Sequence, residues 1–490
     1  MPHSQLLLAV LLLSCVDEGD DTSHATDLTD SAATSAPDDA DSAAHTGDDS
    51  ATTEDTATDS VESRCLDTWS PGPTPPRNLL VISIDTLRRD YLGAYSAEAT
   101  ASPFIDSLLA EGLVLDDHRS CSNWTYASIL CALSGRYNED NGFFPRGGNP
   151  DPWDTQERTP LTPNTITLMP DLFTEQGFVS AIVTANPFLG TGFNVGSRYT
   201  NTRQITASAG EVTQAALESA ANLRDDGRPW LLHAHYIDPH TPYTPPSEYV
   251  SHNLVGLERL PVDIRQTGGM EELAAIWVDL TAFQQALALE YIDVLYRGEI
   301  ANLDHHIELL MTQLEEDGML EDTLVMLWSD HGEQFHEHEQ FQHHKALYSE
   351  ETAGLAAFWS SDGDGPARWS GPTTHMDLLP TTLCMMGLEP LADVDPTSPT
   401  GAVIEHIPDN RPRFSSALLD ISQSSVDLDG LRLIYRWDGT LELYDLAEDP
   451  GEQVDLAAER TEDVSALWSL LEPMVVKADS LHLDAEAVLP

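Results

Sequence analysis

Apolar positions along the chain follow two kinds of pattern. Short continuous runs rich in β-branched residues predict buried parallel strands. They occupy residues 78–85, 179–185, 230–236 and 323–330. Between these runs, apolar residues at helical spacing predict helices over residues 125–136, 171–177 and 300–314. Strands that alternate with helices indicate an α/β fold, and we expect a three-layer sandwich around a mainly parallel central sheet.

The pattern changes beyond residue 390. Residues 432–444 read as two strands joined at Asp438 and Gly439, which predicts a β-hairpin, and a helix is expected from Thr461. We therefore divide the folded part of the chain into a main domain over residues 77–390 and a small C-terminal α+β subdomain over residues 391–490.

The amino terminus has the pattern of an export signal. Residues 6–13 form an apolar run that is too short to cross a bilayer, and Ser14 and Cys15 follow it. Residues 1–15 therefore predict a bacterial lipoprotein signal, with a lipid on Cys15 that anchors the protein to a membrane. An ordinary secretory signal is the alternative, because no Lys or Arg precedes the apolar run. Both predict export, and the lipoprotein signal predicts the bacterial cell envelope, at a periplasmic or outer surface.

Residues 16–76 predict a disordered, acidic tether. Residues 16–63 contain fifteen acidic residues and no Lys or Arg, so they cannot bury enough apolar surface to fold. The whole chain has a net charge of -59 and only two lysines, Lys345 and Lys477. This charge argues against nucleic acid as a partner, since nucleic-acid binding depends on a basic surface.

Cysteine pairing is left open by the sequence. If Cys15 carries a lipid, four cysteines remain, at positions 65, 121, 131 and 384. Export permits disulfides, but four cysteines allow three complete pairings. Cys131 and Cys384 lie in apolar runs, where plain core residues are equally expected.

Polar groups directly follow two of the predicted strands. Asp85 ends the first strand, and Asp330 and His331 end the strand at 323–329. Thr125 lies at the amino end of a short helix, where unpaired N–H groups and the helix dipole favour an anionic group. Parallel strands end at the same edge of a sheet, so we expect one cation to be bound by Asp85, Thr125, Asp330 and His331. A helix cap is the plain alternative for Thr125.

Further candidate ligands lie in two loops. Five histidines fall between residues 331 and 344, and Asp238 and His240 follow the strand at 230–236. Such density suits a cation site, although a solvated loop or a capped turn uses the same residue types. The residues that we assign to a second cation or to the substrate are Asp238, His240, His338 and His343.

The order of these motifs resembles that of the sulfatase family in the alkaline phosphatase superfamily. Eight segments between residue 78 and about residue 456 follow the family's order, among them DTLRRDYLG, DPHTPYTPP and SDHGE. The resemblance implies a catalytic domain over residues 77–390 and an anionic ester substrate. It also implies one or two divalent metal ions per chain, drawn from Ca, Mn, Mg and Zn.

The chain departs from the family at the nucleophile. Sulfatases carry Cys-x-Pro-Ser-Arg, whose Cys becomes formylglycine, and in register with its four fixed residues stand Thr125, Ala127, Ser128 and Ile129. Neither Cys121 nor Cys131 is in register, so the resemblance implies a Thr125 nucleophile, as in the branch that cleaves or transfers phosphate esters. Thr86 stands in place of a second metal-binding Asp, which favours a site built on Thr125 and His331 over an all-oxygen calcium site.

The resemblance also assigns roles around the nucleophile. His240 takes the place of a residue that binds substrate or shares a second metal with Asp238. His343 is in register with the family's His before Leu-Tyr, and His344 or Lys345 stands where sulfatases have an active-site lysine. The groups expected to assist the leaving group are His240, His343 and Lys345.

Together these features predict a metal-dependent hydrolase of sulfate or phosphate esters that works through a covalent intermediate on Thr125. Two alternatives stay open. One is a transferase that moves a phospho-headgroup onto envelope lipid or glycan, and the other is a catalytically silent surface-binding protein. The sequence identifies neither the substrate nor the oligomeric state.

Overall fold

The first strand of the computed structural model, β1, begins at Asn78 and ends at Ile84, and all seven of its residues are buried. The structure describes residues 65–141, 162, 164–206, 208–250, 256, 259–390, 400–417 and 423–487. Cys15, the signal over residues 1–15 and most of the tether over residues 16–76 lie outside the described residues. Among the helices that are described, none combines the length and the apolar character needed to span a membrane.

Strands and helices alternate through the main domain. The strands are β1 Asn78–Ile84, β2 Leu113–Leu115, β3 His118–Arg119, β4 Val179–Thr184, β5 Asn201–Gln204, β6 Trp230–Tyr236, β7 Thr323–Ser329, β8 Gln334–Phe335, β9 Phe341–Gln342, β10 Ala356–Trp359, β11 Ala367–Trp369, β12 Thr373–Thr374, β13 Arg413–Ala417, β14 Gln423–Leu428, β15 Leu431–Arg436 and β16 Leu441–Asp445. The helices are α1 Pro103–Glu111, α2 Thr125–Ser134, α3 Asn138–Asn141, α4 Met169–Glu175, α5 Ala209–Asp226, α6 Gly269–Ile276, α7 Ala282–Glu316, α8 Ser349–Thr352, α9 Leu378–Met385 and α10 Thr461–Ala487.

Eight strands form the central sheet, in the order β11-β2-β10-β7-β1-β6-β4-β5. Strands β7, β1, β6, β4 and β5 are parallel, whereas β10 is antiparallel to both of its neighbours. The mainly parallel sheet predicted from the sequence is therefore confirmed. Continuous apolar runs suit such strands because helices cover both faces of the sheet.

The two faces of the sheet pack into separate hydrophobic cores. Leu80 and Ile82 of β1 join one core, together with residues of α5 and α7. Leu79 and Val81 join the other core, together with residues of α2 and α9. This alternation follows from strand geometry, in which successive side chains point to opposite faces. The result is the expected three-layer sandwich.

The C-terminal part is a small subdomain. Strands β13, β14, β15 and β16 form an antiparallel sheet in that order, and α10 packs against it through Leu467 and Leu471. The hairpin predicted at 432–444 is confirmed by the pairing of β15 with β16. The boundary placed at residue 390 stays a prediction.

Two disulfides resolve the pairing that the sequence left open. Cys65 pairs with Cys384 in α9, and Cys121 pairs with Cys131 in α2. The second bridge links the segment before α2 to the helix itself, so it lies close to Thr125 in the chain.

Candidate active site

Asp85 directly follows β1, and its side chain is fully buried. Its Oδ2 accepts a hydrogen bond from Nδ2 of Asn186 at 2.8 Å. Burial alone would raise the pKa of Asp85, but the His240 imidazole acts in the opposite direction, and the pKa is lowered overall. Asp85 is therefore a buried carboxylate at the carboxyl end of the sheet, where parallel α/β sheets place their ligands.

Asp330 and His331 follow β7, the strand beside β1. Oδ1 of Asp330 accepts hydrogen bonds from the backbone N–H groups of Thr86 at 3.1 Å and His331 at 2.7 Å, whereas Oδ2 has no hydrogen-bond partner. Burial and the charge of Asp85 raise the pKa of Asp330 well above its usual range. Two buried carboxyl groups this close together destabilise each other when ionised unless a cation compensates their charge.

His331 lies between the two carboxyl groups. Its Nδ1 donates to the carbonyl of Gly332 at 2.9 Å, so Nε2 carries the lone pair. Nε2 is 3.9 Å from Oδ1 of Asp85 and 3.7 Å from Oδ2 of Asp330. Burial and the neighbouring His343 lower the pKa of His331 well below its usual value, so the ring is neutral. A neutral imidazole oriented through its other nitrogen has the arrangement of a metal ligand.

Thr125 is the first residue of α2, and its side chain is buried. Its Oγ1 lies 3.4 Å from each carboxylate oxygen of Asp85 and 3.4 Å from Nε2 of His331. Helix α2 begins at this residue, and the N–H groups of a first helical turn have no acceptor within the helix. The structure therefore brings Asp85, Thr125, Asp330 and His331 together, and their chemical roles stay predictions.

His235 of β6 completes this group. Its Nε2 lies 3.6 Å from Oδ2 of Asp85 and has no hydrogen-bond partner. The ligand atoms of Asp85, His235 and Asp330 all lie within 4.8 Å of one another. A divalent cation would satisfy both unpartnered buried atoms, Nε2 of His235 and Oδ2 of Asp330, so these residues fit such an ion. We call the following five residues the cation site: Asp85, Thr125, His235, Asp330 and His331.

Sequence reasoning misses His235 and Asn186. His235 lies inside an apolar strand, where a single histidine is expected to be a core residue. A usable signal is the spacing of His233 and His235, which places two imidazoles on the same face of β6. Asn186 follows β4 by two residues, so the strand-end rule that finds Asp85 would have found it as well.

His343 lies beside the cation site, and its ring centroid is 4.6 Å from that of His331 and 5.0 Å from that of His240. Its Nδ1 is 2.9 Å from Oε1 of Glu333, whose Oε2 accepts a hydrogen bond from Tyr243 at 3.1 Å. Burial alone would lower the pKa of His343, but the Glu333 carboxylate raises it overall. Glu333 therefore orients His343 and favours its protonated form.

His240 and Lys345 lie on the same side of the site. Nδ1 of His240 donates to the carbonyl of Thr241 at 2.6 Å, which leaves Nε2 for another partner. Burial lowers the pKa of His344 well below its usual value, and the positive charge of Lys345 acts in the same direction. The same charge opposes the rise in the pKa of His343. The rings of His240 and His344 both pack against that of His343, with centroids 5.0 Å and 4.0 Å away.

Two residues predicted for a second cation have other partners. The Asp238 carboxyl group is hydrogen-bonded to Glu299, and burial raises the pKa of both groups. His338 stacks on Tyr348 with ring centroids 3.6 Å apart, and its Nε2 lies 3.5 Å from Oε2 of Glu350. Asp238 and His338 are not among the five residues of the cation site, and their assignment to a second cation or to the substrate stays a prediction.

Thr86 contributes through its backbone. Its φ of 54° lies in the left-handed region, which is unfavourable for a β-branched residue. Its N–H donates to Asp330, and its carbonyl accepts a hydrogen bond from Tyr296 at 2.6 Å. This strained conformation orients the Asp330 carboxylate, as is common at functional sites.

The chain is similar in sequence and in fold to known proteins. A sequence model of the sulfatase family matches residues 77–388. The chain belongs to the sulfatase family. A sulfatase from Formosa agariphila is 22% identical over 242 residues, which cover 47% of this chain and 46% of that protein. The chain thus spans about half the length, or less, of the curated relatives it matches.

Solved structures with the same fold include a complex with a sulfated sugar and a phosphonate monoester hydrolase. One was solved in complex with its substrate D-glucosamine-2-N,6-O-disulfate; it has a TM-score of 0.62 and 16% identity, and the match covers 83% of this chain and 99% of that one. Another is the phosphonate monoester hydrolase from Silicibacter pomeroyi, with a TM-score of 0.61 and 17% identity over 82% of this chain and 94% of that one. At these identities the likeness shows a shared fold.

Proposed function

We propose that this sulfatase-family protein is a metal-dependent hydrolase of sulfate or phosphate esters with Thr125 as its nucleophile. The observation that carries the proposal is the position of Oγ1 of Thr125, 3.4 Å from both Asp85 and His331 at the amino end of α2. The sulfatase relative and the phosphonate monoester hydrolase neighbour support this class of ester. The buried ligand atoms of Asp85, His235 and Asp330 support metal dependence.

The nucleophile is held by the residues around it. A divalent cation bound by Asp85, Asp330 and His331 would lower the pKa of the Thr125 hydroxyl and polarise a nonbridging oxygen of the ester. Asp85 and His331 fix the position of Oγ1, and the first turn of α2 offers N–H groups to an anionic ester.

The reaction proceeds in two displacements. In the first, Thr125 gives up its hydroxyl proton to solvent, Oγ1 forms a bond to sulfur or phosphorus, the bond to the leaving oxygen breaks, and that oxygen receives a proton from His240, His343 or Lys345. In the second, water gives a proton back to that same residue as its oxygen forms a bond to sulfur or phosphorus, the bond to Oγ1 breaks, Oγ1 regains a proton from solvent, and sulfate or phosphate leaves. One water molecule is consumed, and no oxidation or reduction takes place.

His343 is the best-supported proton donor of the three. Glu333 raises its pKa, which suits a group that gives up a proton near neutral pH. His343 also contacts the rings of both His331 and His240, so it lies beside the nucleophile.

Export and anchoring through Cys15 also remain a proposal. The two disulfides support export, because disulfides persist in oxidising compartments outside the cytosol. Radiolabelled palmitate incorporated into the wild-type protein and absent from a Cys15→Ser variant would support the anchor. Incorporation into both would contradict it.

The hydrolase assignment is tested with a panel of substrates. The full exported protein is assayed with an aryl phosphate monoester, an aryl phosphate diester, a phosphonate monoester and an aryl sulfate, each with added zinc, manganese and calcium. We expect metal-dependent turnover of at least one ester and none after treatment with a chelator. Equal turnover with and without the chelator would contradict metal dependence.

A further inference from the structure

A continuous line of polar side chains leads away from the cation site across the sheet. The hydroxyl of Tyr199 lies 2.8 Å from Nδ1 of His233, and Nε2 of His233 lies 2.8 Å from Oγ of Ser83. The same Oγ lies 2.8 Å from Nδ1 of His235, whose Nε2 faces Asp85. We call the side chains of Tyr199, His233, Ser83 and His235 the polar line.

The polar line lies in an apolar environment. The side chains of Ser83, His233 and His235 are fully buried, and Tyr199 is 6% exposed. The register of β1 against β6 sets Ser83 opposite His235. The same face of the sheet packs into the core that contains Leu79, Val81 and Leu231. Polar groups in such a core destabilise the fold unless each is hydrogen-bonded, and Nε2 of His235 is the one ring nitrogen of the line that is left without such a partner.

The hydrogen bonds of the line can run in two directions. If Ser83 donated to Nδ1 of His235, then Nε2 would carry the proton and point it at Oδ2 of Asp85. That oxygen is 3.6 Å away, beyond hydrogen-bond distance, and Nε2 of His235 has no other acceptor. This direction leaves a buried N–H without an acceptor.

In the opposite direction three of the four ring nitrogens are paired, and the fourth, Nε2 of His235, carries a lone pair. Nδ1 of His235 donates to Ser83, Ser83 donates to Nε2 of His233, and Nδ1 of His233 donates to the oxygen of Tyr199. A hydroxyl is needed between the rings, because it accepts from one imidazole while it donates to the other. In this direction Nε2 of His235 presents a lone pair to Asp85 and Asp330.

We propose that His235 is a metal ligand of the cation site, and that Ser83, His233 and Tyr199 are positioning residues that keep its lone pair directed at the ion. This inference rests on the metal dependence in the proposed function. Together with His331, the site then offers two imidazole nitrogens beside two carboxylates. Such a donor set favours a first-row transition ion, with zinc first, over calcium and magnesium, which prefer oxygen ligands.

The first test measures metal binding without any ester. The full protein is stripped with a chelator and titrated with zinc or calcium in competition with a chromophoric chelator. We expect zinc to bind more tightly than calcium, and Ser83→Ala to raise the zinc Kd about 10- to 100-fold, as losses of orienting partners do. The matched control is Ser180→Ala, because Ser180 is equally buried, lies on β4 at the other side of β6, and bonds to Thr200 instead. Its zinc Kd should not change.

The second test separates ligation from positioning. The shorter amide of His235→Asn can still donate to Ser83 but does not reach the ion, so we expect the ratio of calcium Kd to zinc Kd to fall about tenfold or more. In wild-type protein with 15N-labelled histidine, the His235 resonance, identified by its loss in this variant, should show a proton on Nδ1 and none on Nε2. The NMR experiment stands even if a variant fails to fold.

Three results would overturn the inference: equal zinc Kd values for the Ser83 and Ser180 variants, an unchanged metal preference in His235→Asn, or a proton on Nε2 of His235 in the zinc-loaded protein. Because no substrate enters these experiments, a failure to hydrolyse esters would count against the proposed function and leave this inference standing.

Discussion

Oγ1 of Thr125 and Nε2 of His331 lie 3.4 Å apart, although 206 positions separate the two residues in the chain. The contact forms because α2 packs on the face of the sheet to which Leu79 and Val81 of β1 point, while β7 ends beside β1 at the same edge. A nucleophile on a helix and a ligand on a strand end thus meet through the packing of two layers.

Loss of the Thr125 hydroxyl should abolish turnover. For Thr125→Ala we expect kcat to fall by about 10³-fold or more, because no other group takes the place of the nucleophile. Thr125→Ser keeps the hydroxyl and is the matched control, with turnover clearly above that of the Ala variant. Acid-quenched protein should show the mass of one sulfate or phosphate group on wild type and on Thr125→Ser, but not on Thr125→Ala. If Thr125→Ala kept more than a few percent of wild-type turnover, Thr125 would not be the nucleophile.

Loss of the Glu333 carboxylate should lower kcat most for substrates with poor leaving groups. Glu333→Gln keeps the shape of the side chain but removes the charge that raises the pKa of His343. We expect kcat to fall about 10- to 100-fold with alkyl leaving groups and less with activated aryl groups, which need little protonation. Tyr243→Phe removes a hydrogen bond to Glu333 without changing its charge, so its effect should be smaller. A uniform loss across all leaving groups would argue against a proton donor.

We expect Asn186 to strengthen the binding of a metal ion. Its amide holds Oδ2 of Asp85 at 2.8 Å, and we expect Asn186→Ala to raise the metal Kd about 10- to 100-fold. Asn222→Ala is the control, because Asn222 bonds to a backbone carbonyl on the exposed side of α5. Equal metal Kd values for the two variants would contradict a role for Asn186 at the cation site.

We expect the buried pair of Asp238 and Glu299 to make the folded protein less stable at alkaline pH. Burial and the nearby Asp238 raise the pKa of Glu299 to about 9, above its ordinary value of 4.5. A group with a raised pKa contributes its stability fully below about pH 4.5 and loses it as the pH rises through about 9. We expect the Tm of wild type to fall between pH 6 and about pH 9, and Glu299→Gln, which stays neutral, to show a shallower fall. Parallel Tm curves for the two proteins would show that Glu299 is not protonated in the folded state.

The two disulfides should differ in their contribution to stability. Cys65 and Cys384 are separated by 319 positions, whereas Cys121 and Cys131 are separated by 10. A longer closed loop restricts the unfolded chain more, so replacing the first pair with Ser should cost about 5–6 kcal/mol of unfolding free energy and the second about 2–3 kcal/mol. Urea unfolding of the two double variants measures both values, and the reverse order would contradict this account.

The sequence by itself predicted the layered fold and four side chains that the structure brings together, those of Asp85, Thr125, Asp330 and His331. Strands β1, β6 and β7 are buried on both faces, so they appear as continuous apolar runs, and no partner is needed to recognise them. Asp85, Asp330 and His331 could be found because the first polar group after such a run lies at the edge of the sheet. The hairpin of β15 and β16 could be found because its turn residues are local.

Only the tertiary structure placed His235 in the cation site, joined it to Ser83, and showed that Asp238 and His338 have other partners. A histidine inside a strand gives the same local pattern whether it packs in a core or faces a ligand. Its role depends on the register of β6 against β1 and on which helix covers that face, and both are set by contacts between residues far apart in the chain. Local periodicity decides which segments form strands and helices, whereas long-range packing decides which buried polar atoms meet.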